Sequence, residues 1–105
     1  MRVLVADDEP LARERLSRLL ADLPGVEVVA EAGNGREALE QAAAQAADVL
    51  LLDIRMPGMD GLEAARHLAQ GPDPPAVVFT TAYDQHALEA FEARAVDYLL
   101  KPVSR

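Results

Sequence analysis

Five short apolar runs, at residues 3–6, 26–30, 49–52, 76–79 and 96–100, alternate along the chain with segments of helical spacing. That alternation constrains the fold more than any other feature. The first, third and fourth runs are nearly continuous in Val, Leu, Ala and Phe, as suits strands covered on both faces. The fifth is interrupted by Asp97, which places one of its faces in a wetter setting or at an edge. Between the runs, residues 10–23 carry Leu11, Ala12, Leu16, Leu19, Leu20 and Leu23 at helical spacing, with Arg and Glu between them. Pro10 suits a first helical turn, where its missing N–H costs nothing, and Pro24-Gly25 stops the helix. Asn34-Gly35 precedes a second helix through Ala38, Leu39, Ala42, Ala43 and Ala46. Asp60 caps a third, with Leu62, Ala65 and Leu68 inward, and Asp84 a fourth, with Ala87, Leu88 and Phe91 inward. Strand and helix repeated four times, then a fifth strand, predict an α/β fold: a five-stranded parallel sheet, doubly wound, with helices on both faces.

The 105 residues suffice for one domain, residues 1–105, and half of them are hydrophobic. With aromatics at 4% and no Trp, the core must be aliphatic. The absence of Cys excludes disulfides and thiolate metal sites. Ten basic residues against 18 acidic ones leave a formal charge of −8, a surface that repels nucleic-acid backbones. No apolar run approaches the roughly 20 residues that span a bilayer. The N-terminus enters a strand pattern at once, so a cytoplasmic location is expected.

In doubly wound sheets, ligands sit beyond the carboxyl ends of the strands. Those ends carry Asp7-Asp8-Glu9 after the first run, Asp53 after the third, Thr80-Thr81 after the fourth and Lys101-Pro102 after the fifth. Each alone has a bland reading: a helix-start charge, a turn cap, a β-favouring Thr, a surface Lys. Their joint placement at successive strand ends is what counts. Two carboxylates ~4 Å apart repel by roughly 4 kcal/mol at an effective dielectric of 20. Asp7, Asp8 and Asp53 therefore need a proton, separation or a cation, and an all-oxygen acidic site suits Mg²⁺. With Lys101 and a Thr hydroxyl alongside, this is equipment for phosphoryl transfer to a carboxylate.

The strings Val3-Leu4-Val5-Ala6-Asp7-Asp8-Glu9-Pro10, Leu52-Asp53-Ile54-Arg55-Met56-Pro57-Gly58-Met59-Asp60-Gly61, Thr80-Thr81-Ala82 and Tyr98-Leu99-Leu100-Lys101-Pro102 resemble the receiver domains of two-component response regulators, in order, spacing and strand context. The resemblance implies a flavodoxin-like sheet of order 2-1-3-4-5. It implies Asp53 as phosphoacceptor for a sensor histidine kinase. It also implies Mg²⁺ held by Asp7, Asp8, Asp53 and the backbone carbonyl of Arg55, with Asp8 a direct ligand and Asp7 acting mostly through water. Thr81 and Lys101 would bind phosphoryl oxygens, Tyr98 would be the switch aromatic, and the bond before Pro102 would be cis. The stretches 7–16 and 81–92 further resemble LytTR-type regulators of the AlgR/LytR kind. Those carry a C-terminal DNA-binding domain and control transcription. The family's fifth helix has no counterpart in the sequence. Bare sheet around Val3, Val5, Val96 and Leu100 is therefore expected, with self-association through that face or as a homodimer through the fourth helix and fifth strand.

His67 and His86 fall on predicted helices away from the acids and read as surface residues. Gly33-Asn34-Gly35 lacks the spacing of a phosphate loop and reads as a helix start. Arg13, Arg15 and Arg18 read as a solvated helix face, and Met56 and Met59 as packing under the loop after Asp53. Two alternatives share this site: a Mg²⁺-dependent phosphatase using Asp53 as nucleophile, and a stand-alone receiver acting through another protein. The lack of a cap domain or substrate pocket in the sequence favours a switch over an enzyme, with only slow loss of its own phosphoryl group.

Overall fold

The computed structural model describes residues 1–81 and 97–100, with Thr81 and the last four as backbone. Its elements run β1 (Arg2–Ala6), α1 (Pro10–Ala21), β2 (Glu27–Ala32), α2 (Gly35–Gln45), β3 (Val49–Asp53), α3 (Gly61–Ala69), β4 (Ala76–Thr81) and β5 (Asp97–Leu100). All strand pairs are parallel, and the sheet order is β2-β1-β3-β4-β5. The chain moves outward from β1 to β2, then crosses back to β3. The crevice where the order reverses lies between the ends of β1 and β3. The predicted fourth helix, Val96, Lys101 and Pro102 lie outside the described residues. Among the described residues no helix is long and apolar enough to cross a membrane.

The central strands bury both faces, as their unbroken apolar runs require. On one face Leu4, Ala6, Leu50, Leu52, Val77 and Phe79 pack against α2 and α3. On the other, Val3, Val5 and Leu51 pack with Leu16 of α1. This corrects the expectation of bare sheet at the first strand. Val3 is 2% and Val5 0% exposed, because Leu16 lies on them with Leu20, Val26, Val28 and Val78 around the edge. The other two residues of that expected face, Val96 and the side chain of Leu100, lie outside the described residues.

Helix α1 is shorter and less buried than its pattern predicts. Only Leu16 is fully buried, and Leu11 is 78% exposed. Leu11 precedes Leu16 by five residues, about 140° round a helix of 3.6 residues per turn, so both cannot face the sheet. Strand β2 runs two residues beyond its apolar run, through exposed Glu31, because backbone pairing to β1 continues to Ala32. An edge strand tolerates such a charge.

Two helix starts follow the sequence closely. Asn34 Oδ1 accepts from the Glu37 N–H at 2.8 Å, and Glu37 Oε1 accepts from the Gly33 N–H at 2.9 Å, a reciprocal cap. Asp60 Oδ1 accepts from the Glu63 N–H at 2.9 Å. Gly35 and Gly61 begin these helices for a steric reason. A Cβ on Gly35 would stand 2.3 Å from the Met59 carbonyl oxygen, and one on Gly61 2.3 Å from that of Asp53. Both helix starts are thus pressed against the loop that follows β3.

Candidate functional site

Asp7 continues β1 beyond its last paired residue and is held at every backbone polar group. Its N–H donates to Ala32 O at 2.9 Å, and its carbonyl accepts from Arg13 Nη1 at 2.7 Å. Its Oδ1 accepts from the Glu9 N–H at 2.9 Å, a short turn that bends the chain into α1. The residue is 0% exposed. Asp8, one position on, points out and lines an open depression of about 560 Å³ with Arg55, Met56, Pro57 and Asp60.

Asp53 ends β3 and is 6% exposed. Its loop is clamped from three sides. The Ile54 N–H donates to Thr80 O of β4 at 3.3 Å, the Gly61 N–H to Ile54 O at 2.9 Å, and the Gly35 N–H to Met59 O at 3.1 Å. Ile54 and Met56 are buried in the α2–α3 side of the core, and Met59 packs against it, as their apolar character predicts.

These two strand ends bring Asp7, Asp8 and Asp53 together, with one carboxylate oxygen from each lying within 4.8 Å of the others. Three carboxylates at that range repel by several kcal/mol even at an effective dielectric of 20. The donor set is all oxygen, two of its members are buried, and one opens onto the depression. Such a set fits a hard divalent cation that keeps some of its waters.

The other predicted site residues are placed unequally. Arg55 is exposed beside Asp8 on the rim of the depression. Thr81 is the last residue of β4, and Tyr98 of β5 pairs with Phe79. Lys101 and Pro102 lie outside the described residues. His67 is on the exposed side of α3, away from the acids.

One residue was misjudged by its pattern. Arg13 is no solvated face residue: besides holding the Asp7 carbonyl, its Nε lies 3.3 Å from Glu31 Oε1 of β2. A signal for this exists in the sequence. Side chains lean toward a helix's N-terminus, so a long cation in the first turn after an acidic strand end reaches back over that end.

The sequence matches the response regulator receiver domain family over residues 3–105. It is 57% identical over 102 residues to an uncharacterized response regulatory protein of Vibrio cholerae, covering 96% of this chain and 39% of that protein. It is 56% identical over 104 residues to the positive alginate biosynthesis regulatory protein of Pseudomonas aeruginosa, covering 98% of this chain and 42% of that protein. The chain therefore spans about two fifths of the length of these curated relatives. Among solved structures, the signal receiver domain of the response regulator NarL from Mycobacterium tuberculosis superposes with a TM-score of 0.92 at 41% identity, covering 98% of this chain and 85% of that one. A family match over nearly the full sequence, joined to a shared fold, leaves one conclusion: the chain belongs to the response regulator receiver domain family.

Proposed function

We propose that this receiver domain works as a phosphorylation switch in which Asp53 accepts a phosphoryl group from a sensor histidine kinase. The observation that carries this is the meeting of Asp7, Asp8 and Asp53 within 4.8 Å at the carboxyl ends of β1 and β3. Asp53 is the member best placed as nucleophile, since its loop is clamped on three sides and its carboxyl stands at the crevice. Asp7 and Asp8, with Asp53 and the Arg55 carbonyl, would hold Mg²⁺. When bound, that ion neutralises charge on the phosphoryl oxygens.

The chain's own residues do the rest. Arg13 and Glu9 orient Asp7 so that its carboxylate stays on the crevice side. Thr81 and Lys101 would bind phosphoryl oxygens, and movement of Thr81 toward them would free space for the Tyr98 ring. Phosphorylation would thus bias a two-state element through contacts made in one state only.

The wider setting follows from the relatives. Their greater length supports residues 1–105 as the receiver of a longer cytoplasmic regulator whose LytTR-type output domain binds DNA and controls transcription. A dimer through the fourth helix and β5 belongs to the same reading.

The test is intact-mass measurement after exposure to a small phosphodonor, with and without Mg²⁺. One phosphoryl group should be taken up, only with Mg²⁺ present, and none by Asp53→Asn. Undiminished labelling of that variant would overturn the assignment.

A further inference from the structure

A second hydroxyl stands beside Asp53 with no assigned task. Thr80 pairs with Asp53 across β3 and β4. Residues in register on parallel strands point to the same face, and the neighbouring rows bear this out. Leu51 and Val78 are partners on the α1 side of the sheet, and Leu52 and Phe79 on the α2–α3 side. Thr80 and Asp53 therefore share the α1 side, as does Asp7, two residues beyond Val5 on β1. The three form one polar row across the sheet, resting on the apolar row Val5–Leu51–Val78. Side chains in register lie about 5 Å apart at Cβ, so the Thr80 hydroxyl is within a rotamer change of the Asp53 carboxyl.

Thr80 is 0% exposed, and its Oγ has no hydrogen-bond partner among the described residues. A hydroxyl buried in that state is costly, and Val would fill the same volume on a strand at no such cost. A group of this kind calls for a state in which it is used.

We propose that Thr80 is a positioning residue that engages once Asp53 is phosphorylated, donating a hydrogen bond from its hydroxyl to the carboxyl oxygen that remains as the carbonyl of the acyl phosphate. This rests on the reading of Asp53 as phosphoacceptor. Formation of the acyl phosphate moves the negative charge from the carboxyl to the phosphoryl oxygens. Positive groups that hold the resting carboxylate follow that charge outward, and the inner oxygen is left to Thr80.

The consequence concerns how long the phosphoryl group stays. In hydrolysis, a water oxygen bonds to phosphorus and the P–O bond to Asp53 breaks. Its electron pair returns to the carboxylate, and the water's proton leaves with the phosphate. That pair delocalises over both carboxyl oxygens, so the oxygen held by Thr80 also gains charge in the transition state, where a donor bonds it more strongly than it bonds a neutral carbonyl. Thr80 should therefore hasten loss of the phosphoryl group.

Asp53 labelling and its decay in excess Mg²⁺, after removal of the phosphodonor, test this in the parent chain, Thr80→Val and Thr80→Ser. Thr80→Val should lose its label about fivefold more slowly than the parent. Thr80→Ser, which keeps the hydroxyl, should decay near the parent rate. The unphosphorylated Thr80→Val protein should melt no lower than the parent. Equal decay of Thr80→Val and parent would overturn the proposal, as would a Ser variant as slow as the Val variant, which would show packing rather than the hydroxyl at work. A parent chain that takes up no label at Asp53 would instead defeat the phosphoacceptor reading itself.

Discussion

The two ends of the sheet use aspartate in opposite ways. At the amino end, Asp48 precedes β3 and is spent on structure. Its Oδ2 accepts from the Arg2 N–H at 2.8 Å, its own N–H donates to Arg2 O at 2.8 Å, and its carbonyl accepts from the Ala76 N–H at 3.0 Å. One residue thereby ties the starts of β1, β3 and β4. The cation beside it is also engaged, with Arg2 Nε donating to Gln45 O at 2.9 Å and Nη1 lying 3.7 Å from Glu27. At the carboxyl end, three aspartates face one another instead. Backbone hydrogen bonds hold aspartates in place at both ends, but only at the carboxyl end do carboxylates crowd one another. The carboxyl end accepts electrostatic strain, and the fold around it is built tightly enough to hold that strain in place.

The largest effect should come from loosening that hold. Gly61→Ala puts a methyl group 2.3 Å from the Asp53 carbonyl oxygen, a backbone atom that cannot step aside cheaply. Overpacking of this kind costs about 3 kcal/mol, which urea unfolding would measure. A cost no larger than that of an ordinary surface substitution would mean that the rim yields and does not hold Asp53 rigidly.

Cation binding separates the two ends next. At a hundredfold excess over its dissociation constant, Mg²⁺ should stabilise the parent by about 2.7 kcal/mol in thermal unfolding. Asp8→Asn should remove most of that gain while raising the melting temperature of the cation-free protein, because it relieves repulsion. Equal Mg²⁺ stabilisation of Asp8→Asn and parent would break the assignment of charge strain to the carboxyl end.

Arg13→Gln comes third. It removes the clamp on the Asp7 carbonyl and the ion pair to Glu31 while leaving Asp7, Asp8 and Asp53 themselves unchanged. Supporting residues of this kind change metal affinity by about tenfold, which calorimetric Mg²⁺ titration would detect. Unchanged affinity would return Arg13 to the role of a helix-face residue. The smallest effect belongs to the amino end. Asp48→Ala should cost about 1 kcal/mol for its lost hydrogen bond and leave Mg²⁺ affinity where it was. A change in affinity there would show that the two ends are not independent.

Much of this contrast is legible in the sequence because it is local. The caps at Asn34 and Asp60 are read from residues three apart, and the acids are read from their places after apolar runs. What pattern could not show is which apolar residues of an amphipathic helix face inward. Leu11 fits the spacing of α1 and is exposed, while Leu16 covers Val3 and Val5, contrary to the expectation that they are bare. A hydrophobic pattern carries the period of an element, not its rotation against a neighbour.

The sequence by itself determined the alternation of strand and helix, the parallel sheet, the gathering of acids at strand ends and the family. Each follows from short-range periodicity or from residue identity at a turn. Only the tertiary structure decided that Asp7 is buried while Asp8 is open, that Arg13 clamps rather than solvates, and that Thr80 shares a row with Asp53. These depend on register and on helix rotation, where a shift of one residue on a strand, or about 100° on a helix, sends a side chain elsewhere. Such choices are made by packing across the whole sheet, at distances no local pattern spans.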